Sequence, residues 1–336
     1  MLRAKLVDVA REAKVAVSTA SIVLSEARQL NEIAVATQER IRRVAHRLKY
    51  RANANARQIH MRGTGSVALL QSSTIDRAVL SNEFLYGISM ELQERNQSLR
   101  FIQLDDEDLM QSEPGFLRQR DVDGVIVNYG VEMPQGLFDF IRHYEIPSVF
   151  VNTRNKFSDS IWFDHLRATK RAVQRLADLG HRRIAYLFYT GKYNHYSFKD
   201  TLKGYMTAIT KLGLKPMVVD SLVQRPERLL AAKRLLEGKR APTAILAASV
   251  SSANPLIQAA GQLGLRIPGD LSICTFGNQE DTSLIIPQPS YISLPWRKAG
   301  RIVVQMLLDK IEKKPSRHRS RLECEWQDGG DTIGPL

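Results

Sequence analysis

The stretch V-S-T-A-S-I-V-L-S, from Val17 to Ser25, has residue types suited to approaching a surface closely with small side chains. On a helix Ala20, Val23 and Leu24 share one face, leaving Val17, Ser18, Ser21 and Ile22 on the other. Patterns that carry catalysis are absent: there is no G-x-S-x-G, no H-E-x-x-H and no zinc spacing, and R-G-T-G-S at Arg62 lacks the Gly spacing of a phosphate loop. Cys274 and Cys324 give neither a disulfide framework nor a metal set, and both read as ordinary core or surface thiols. No enzymatic activity, metal or cofactor is expected.

The elements around that stretch make it one part of a small helical unit. In K-L-V-D-V-A-R-E-A the apolar residues Leu6, Val9, Ala10 and Ala13 fall at helical spacing, and a break follows at Lys14–Val15–Ala16. Two short helices across a tight turn form a helix-turn-helix. A third helix is expected from about Thr37 to Tyr50, with Ile41, Val44, Ala45 and Leu48 closing a small core and Arg40, Arg42, Arg43 and Arg47 mostly outside. Charge supports the same reading. Of the net +13, residues 1–62 hold +8, from 13 Lys/Arg against 5 Asp/Glu, so the basic excess sits where it would attract a polyanion. No apolar run approaches the roughly 20 residues of a membrane span, and a soluble, cytoplasmic protein is expected.

L-V-D-V-A-x-x-A-x-V in the first helix, S-T-A-S-x-V-L in the second and T-Q-E-R-I-x-x-V-A-x-x-L-x-Y in the third resemble, in order and nearly in spacing, the headpiece of the lactose/purine repressor family. R-A-N-A-N-A-R-Q-I, from Arg51 to Ile59, resembles that family's hinge helix; the alternative is a basic Asn/Ala-rich linker. The resemblance implies DNA contacts from Leu6, Ala16, Val17, Ser18, Thr19, Ser21, Ile22 and Ser25. In the hinge it implies contacts from Asn53, Ala56, Arg57 and Ile59, the last as an apolar wedge into a base step. Three departures have physical consequences. Lys14 stands where the family places Gly in a left-handed turn, at a cost of about 1 kcal/mol. Ala16 replaces a Ser that contacts phosphate. Ile22 replaces an Arg that reads guanine; Ile packs on a thymine methyl instead, or turns inward with Val23 and Leu24.

From Ser66 onward, short apolar runs alternate with helical patterns. S-V-A-L-L, L-R-F-I-Q-L, D-G-V-I-V-N, P-S-V-F-V-N, R-R-I-A-Y-L-F, T-A-I-L-A-A and L-S-I-C-T-F read as strands, and Phe84–Arg95 and Ala168–Leu179 as helices. Such alternation argues for parallel sheets covered on both faces. The fold class is therefore α/β: an all-α helix-turn-helix headpiece (1–50), a hinge helix and linker (51–63), and a two-lobed, periplasmic-binding-protein-like domain with parallel sheets (64–336). The resemblance divides that domain into a first lobe of about 64–161 and 292–322 and a second of about 162–291 and 323–336, the segment S-Y-I-S-L-P-W-R-K-A-G-R carrying the return crossover.

The family places a ligand cleft between the lobes, and its charged anchors are replaced here. Asn152 stands for an Asp, Thr201 for an Arg, Ser249–Val250 for an Asn-Asp pair and Gly277–Asn278 for an Asp pair. Neutral groups make weaker hydrogen bonds than charged ones. Either the effector is less charged, contacted by Ser72, Asn128, Asn152, Phe198, Thr201, Ser249 and Asn278, or the cleft has lost ligand binding. His181 reads as a capping or packing residue. His195 either lines the cleft or belongs to an exposed aromatic loop, and K-K-P-S-R-H-R-S-R reads as a solvated loop. The expected partners are a palindromic double-stranded DNA operator, a small-molecule effector and a second copy of the chain in a homodimer, or further copies in a tetramer, acting as a repressor. A two-lobed small-molecule-binding protein without a transcriptional role is the alternative.

Overall fold

A computed structural model describes residues 4–25, 32–50, 63–72, 81–104, 121–128, 135–154, 159–188, 195–220, 227–315, 319–328 and 332–336. The chain divides into two units, Met1–Ser66 with Gln119–Asp123, and Val67–Arg118 with Gly124–Leu336. In the first, helices α1 (Leu6–Glu12), α2 (Val17–Ser25) and α3 (Val35–Arg47) enclose Val9, Ala10, Ala13, Ala20, Val23, Ile41, Val44 and Ala45. The small core suits the small residues that build it.

Both α1 and α3 end in the same way. After α1, Lys14 adopts φ 51°, its N–H donating to Arg11 O and the Val15 N–H to Ala10 O; after α3, Lys49 adopts φ 50° while the Tyr50 N–H reaches back to Ala45 O. These 6→1 bonds occupy carbonyls that a helix end leaves open. The third helix thus runs earlier than the expected 37–50 span. Its C-terminal turn folds Tyr50 back against the core instead of continuing.

The second unit holds two six-stranded sheets. The first has the order β11-β5-β4-β3-β1-β2, from β1 (Ser66–Ser72), β2 (Ser98–Leu104), β3 (Gly124–Asn128), β4 (Ser148–Val151), β5 (Ser160–Phe163) and β11 (Arg319–Leu322). The second has the order β12-β10-β9-β8-β6-β7, from β6 (Ile184–Phe188), β7 (Met217–Asp220), β8 (Ala244–Ala247), β9 (Ser272–Gly277), β10 (Ser290–Ser293) and β12 (Glu325–Gln327). Within each, β1 pairs with β3 and β6 with β8 in parallel, while β12 runs antiparallel to β10. The order turns back on itself between β1 and β3 and between β6 and β8, and open α/β sheets leave a ligand crevice at the carboxyl ends of strands flanking such a switch.

Five strands escaped the sequence reading, among them β11, which takes up the end of the basic stretch read as a solvated loop. An edge strand pairs through its backbone, and here only Leu322 is buried, so no apolar alternation marks it.

Three passages carry the chain between sheets: Phe163 to His165, Ser293 to Trp296, and Leu322 to Glu325. In the first lobe, α4 (Asn82–Glu94) and α11 (Trp296–Ile311) approach at Gly87 and Gly300, where an added Cβ would lie 2.2 Å from Arg297 O and 2.5 Å from Phe84 O. Buried Glu91 bonds Arg95 and Arg301 across the same contact. The remaining helices of this unit are α5 (Gln135–His143), α6 (His165–Asp178), α7 (Tyr196–Lys211), α8 (Arg228–Leu236), α9 (Val250–Gln262) and α10 (Gln279–Thr282).

Candidate DNA interface and interlobe cavity

In the helical unit, Ala20 and Val23 are buried whereas Ala16, Val17 and Ser18 are exposed and Thr19, Ser21 and Ile22 half-buried. Leu6 packs against the core from its edge. Ile22 lies about 200° round the helix from Ala20, on the face opposite the core, as does Ser18. Two of the four α3 arginines are engaged inside the unit: Arg40 Nε donates to Ala13 O at 3.1 Å, and Arg47 pairs with Glu12. Sequence alone read them as outward charges. Their i→i+7 spacing, which sets both on the side of α3 that meets the end of α1, was the available signal. The Ser25 side chain and Asn53, Ala56, Arg57 and Ile59 lie outside the described residues.

A cavity of about 900 Å³ opens at the carboxyl ends of the second sheet's strands. Leu187 from β6, Val219 from β7, Ala248 and Ser249 beyond β8, Phe276 and Gly277 from β9 and Leu294 beyond β10 all line it. Asn152, Phe198, Thr201, Ser249 and Asn278 are brought together there, while Ser72 and Asn128 are buried at the ends of β1 and β3, away from its lining.

Most of these polar groups are bonded within the protein. Thr201 Oγ1 accepts from Tyr186 Oη at 2.6 Å and lies 2.9 Å from Ser197 O, to which it donates. Asn278 caps α10, accepting from the Asp281 N–H at 2.8 Å and donating to Asp281 Oδ2 at 2.9 Å. The Ser249 hydroxyl lies 2.9 Å from that of Ser251 and 3.1 Å from that of Ser252.

A buried cluster joins the lobes beside the cavity. His195, at the N-cap of α7, donates from Nε2 to Asn152 O at 2.7 Å, so Nδ1 accepts from the Ser197 N–H and lies 2.6 Å from the Ser197 hydroxyl. The Tyr196 hydroxyl accepts from the Phe163 N–H at 2.9 Å and donates to Asn152 Oδ1 at 3.0 Å. Burial raises its pKa and keeps it protonated. Asp200 forms a two-pronged pair with Arg154, whose guanidinium lies 4.9 Å from the Tyr196 ring centre. Burial lowers the His195 pKa, against the opposing effects of the Asn152 carbonyl and Asp200. His165, also buried, is driven down to about 3 by burial first and then by His195 and Arg154. Among the described residues its Nδ1 has no hydrogen-bond partner.

Residues 5–53 match the profile of bacterial regulatory proteins of the lacI family, and residues 173–330 match a periplasmic binding protein-like domain. The chain is 28% identical over 331 residues to the ribose operon repressor of Haemophilus influenzae, covering 94% of this chain and 95% of that one. It is 26% identical over 326 residues to the transcriptional repressor PurR of Edwardsiella ictaluri, covering 93% and 91%. The lac repressor dimer bound to operator and an anti-inducer superposes with a TM-score of 0.80 at 22% identity, covering 99% of this chain and all of that one. This chain belongs to the lacI family. The regulator CelR in complex with cellobiose shares its fold, at a TM-score of 0.64, 23% identity and coverage of 97% and 98%. The matched headpiece profile is that of bacterial regulatory proteins. Among the described residues no helix is long and apolar enough to cross a membrane, and no three metal-ligating side chains gather.

Asn152, Thr201, Ser249, Val250, Gly277 and Asn278, the positions that the resemblance matched to charged anchors, all line the cavity. Residues 250 and 277 meet there: a Cβ on Gly277 would stand 2.7 Å from Val250 Cγ2. Sequence reasoning missed His165, Asp281 and Trp296 as cavity residues and left His195 open. His165 and Trp296 sit at the interlobe passages, a location that no local motif announces. His181 is a packing residue, its ring 3.0 Å from Thr243 Oγ1, Ser272 Oγ and Gly334 O.

Proposed function

We propose that the chain represses transcription by binding a roughly palindromic DNA operator as a homodimer, under control of a small, weakly charged effector in the interlobe cavity. The observation that carries the DNA half is α2: its apolar face is locked into the core while Ser18 and Ile22 lie on the opposite side and Val17 is exposed at its start, the disposition of a recognition helix entering a major groove. Ala16, Thr19, Ser21, Ser25 and Leu6 flank it, and the 51–63 segment serves as hinge, Ile59 supplying a wedge. One such helix covers only a few base pairs, so two chains share a site. Leu230, Leu284 and Ile286, the last two 83% and 91% exposed, give the second lobe apolar side chains for a second copy to cover. The names of the relatives support this reading, as do lac repressor's operator complex and CelR's sugar complex.

Selection of random duplexes followed by sequencing tests it. A symmetric consensus bound by two chains per duplex is expected. No consensus would favour a binding protein without a transcriptional role, and one chain per duplex would remove the dimer.

A further inference from the structure

The second lobe carries another hollow, of about 470 Å³, where β7 begins and α8 ends. Met217, Leu235, Ala241 and Pro242 give it an apolar floor, and Arg234, Glu237, Lys239 and Arg240 stand around that floor. The strand order β8-β6-β7 brings three chain entries side by side: Lys239 and Arg240 lead toward β8, Arg183 into β6 and Lys215 into β7. Neighbouring strands lie about 4.8 Å apart, so the three entries span about 10 Å. Arg183 is fixed there, its Nε donating to Ala241 O at 2.8 Å.

All five cations are exposed, and among the described residues none of them pairs with a carboxylate. The next entry, before β9, is built differently: Arg266 is held by Asp270 through bonds of 2.9 and 2.8 Å, which neutralise it. Basic side chains near a helix C-terminus offset its carbonyl end, but that end carries only about half a charge, and Arg234, Lys239 and Arg240 all gather at the end of α8. The surplus is open to a partner. The same carbonyl end and Glu237 oppose a phosphate seated in the hollow, and among the described residues no aromatic ring lines it for a base to stack on. A rigid duplex leaves the apolar floor wet, and a two-fold contact between copies sets like charges together. A flexible acidic polypeptide matches both features, its carboxylates meeting the cations while an aliphatic side chain covers the floor.

We propose that this pole of the second lobe docks an acidic segment of a partner protein, one apolar side chain entering the hollow beside Met217 and flanking carboxylates meeting Arg183, Lys215, Arg234, Lys239 and Arg240. The surface is distinct from the effector site: of its lining, only Leu235 also lines the interlobe cavity, and none of the five cations does.

The test is fluorescence anisotropy on the full chain, with operator duplex in excess so that the headpiece's own positive charge is occupied. The probe is a short labelled peptide of Glu with one central Leu; its two companions carry Ala in place of Leu, or Gln in place of every Glu. The Glu/Leu peptide should bind, the Ala companion about threefold more weakly and the Gln companion not at all. Lys239→Glu combined with Arg240→Glu should weaken the Glu/Leu peptide about tenfold while leaving operator affinity unchanged. Should that pair misfold, Lys215→Glu alone, at a neighbouring entry, should still weaken it about threefold. No binding of the Glu/Leu peptide, equal binding of either companion, or unchanged binding by the charge-reversed chains would overturn the proposal. Displacement of the bound peptide by further duplex would also overturn it, assigning the pole to nucleic acid instead.

Discussion

In the headpiece, the polar side chains of α2 stand away from the core, whereas in the interlobe cavity most polar side chains are tied to one another. The first surface carries a concentrated positive charge, whereas the described lining of the second balances Arg228 against Asp281. Two recognition problems are thus solved on one chain by different physics, long-range attraction in one place and shape with a few neutral bonds in the other. Salt separates them most sharply. Operator affinity should fall about a thousandfold between 50 and 200 mM salt, as expected for a protein contacting about six phosphates, while affinity for a neutral cavity ligand changes by less than about twofold. Fluorescence titrations of both ligands across that range check it, and parallel slopes would erase the distinction.

The cavity's internal pairing should also be costly to break. Arg154→Met leaves the Asp200 carboxylate, whose side chain is only 10% exposed, without its guanidinium. A loss of about 3 kcal/mol is expected, since an unpartnered buried charge is penalised more than an ion pair is rewarded. Adding Asp200→Asn should recover most of it. Urea denaturation of single and double variants measures both, and a stable Arg154→Met protein would show that no clasp joins the lobes there.

On the headpiece side, the sharpest probe is Ile22→Arg. Arg donates two hydrogen bonds to a guanine edge, worth about 1–3 kcal/mol of discrimination, and Ile donates none. Position-by-position duplex selection should show a shift toward G at one symmetric pair of sites. If nothing shifts, Ile22 does not face the bases.

Acid should act through the cavity more than through the headpiece. Unfolded, His165 takes up a proton near pH 6.5; folded, it resists until about 3, so unfolding gains a proton across that window. Stability is therefore present above pH 6.5 and lost as pH falls, by about 2 kcal/mol at pH 5 from this group. His195, whose pKa is also lowered, adds in the same direction. Thermal melts from pH 7.5 to 5 should flatten in His165→Phe; an unchanged slope would mean that the ring is not held neutral.

How far each region could be read in advance follows the same division. The headpiece motif is local: apolar spacing and the left-handed turn at Lys14 are written within a few residues, and the structure places Lys14 at φ 51°. Six of the seven strands read in advance were legible as apolar runs because both faces of a parallel sheet are buried, while β2, an edge strand, stood out by its alternation alone. The edge strands β11 and β12 were not, because backbone pairing leaves no side-chain signature. Cavity positions facing the family's anchors could be located one by one, yet their bonding could not. That Thr201 is held by Tyr186, or Asn278 by the cap of a four-residue helix, depends on contacts only the fold creates. His165 is the extreme case, since its unpaired nitrogen follows from the meeting of two lobes.

The smallest effect returns to the headpiece. Lys14 occupies the C′ position of α1 with positive φ, and its Cβ makes that conformation about 1 kcal/mol costlier than it is for Gly. Lys14→Gly should therefore strengthen the α1–α2 turn by about that amount, read as slower hydrogen exchange at the Val15 amide, which bonds Ala10 O. Lys14→Ala removes the same charge but keeps a Cβ, and should give no such gain. Lys49→Gly, at the matching position after α3, should repeat the result at the Tyr50 amide. If exchange slows equally in the Ala and Gly variants, the cost lies in the lysine's charge and not in its backbone. Operator binding offers a second readout: both Lys14 variants lose one positive charge, so a phosphate contact by Lys14 would lower the salt slope by about one in each. A gain in turn stability with an unchanged slope would mean that this lysine contributes nothing to the interface it sits beside.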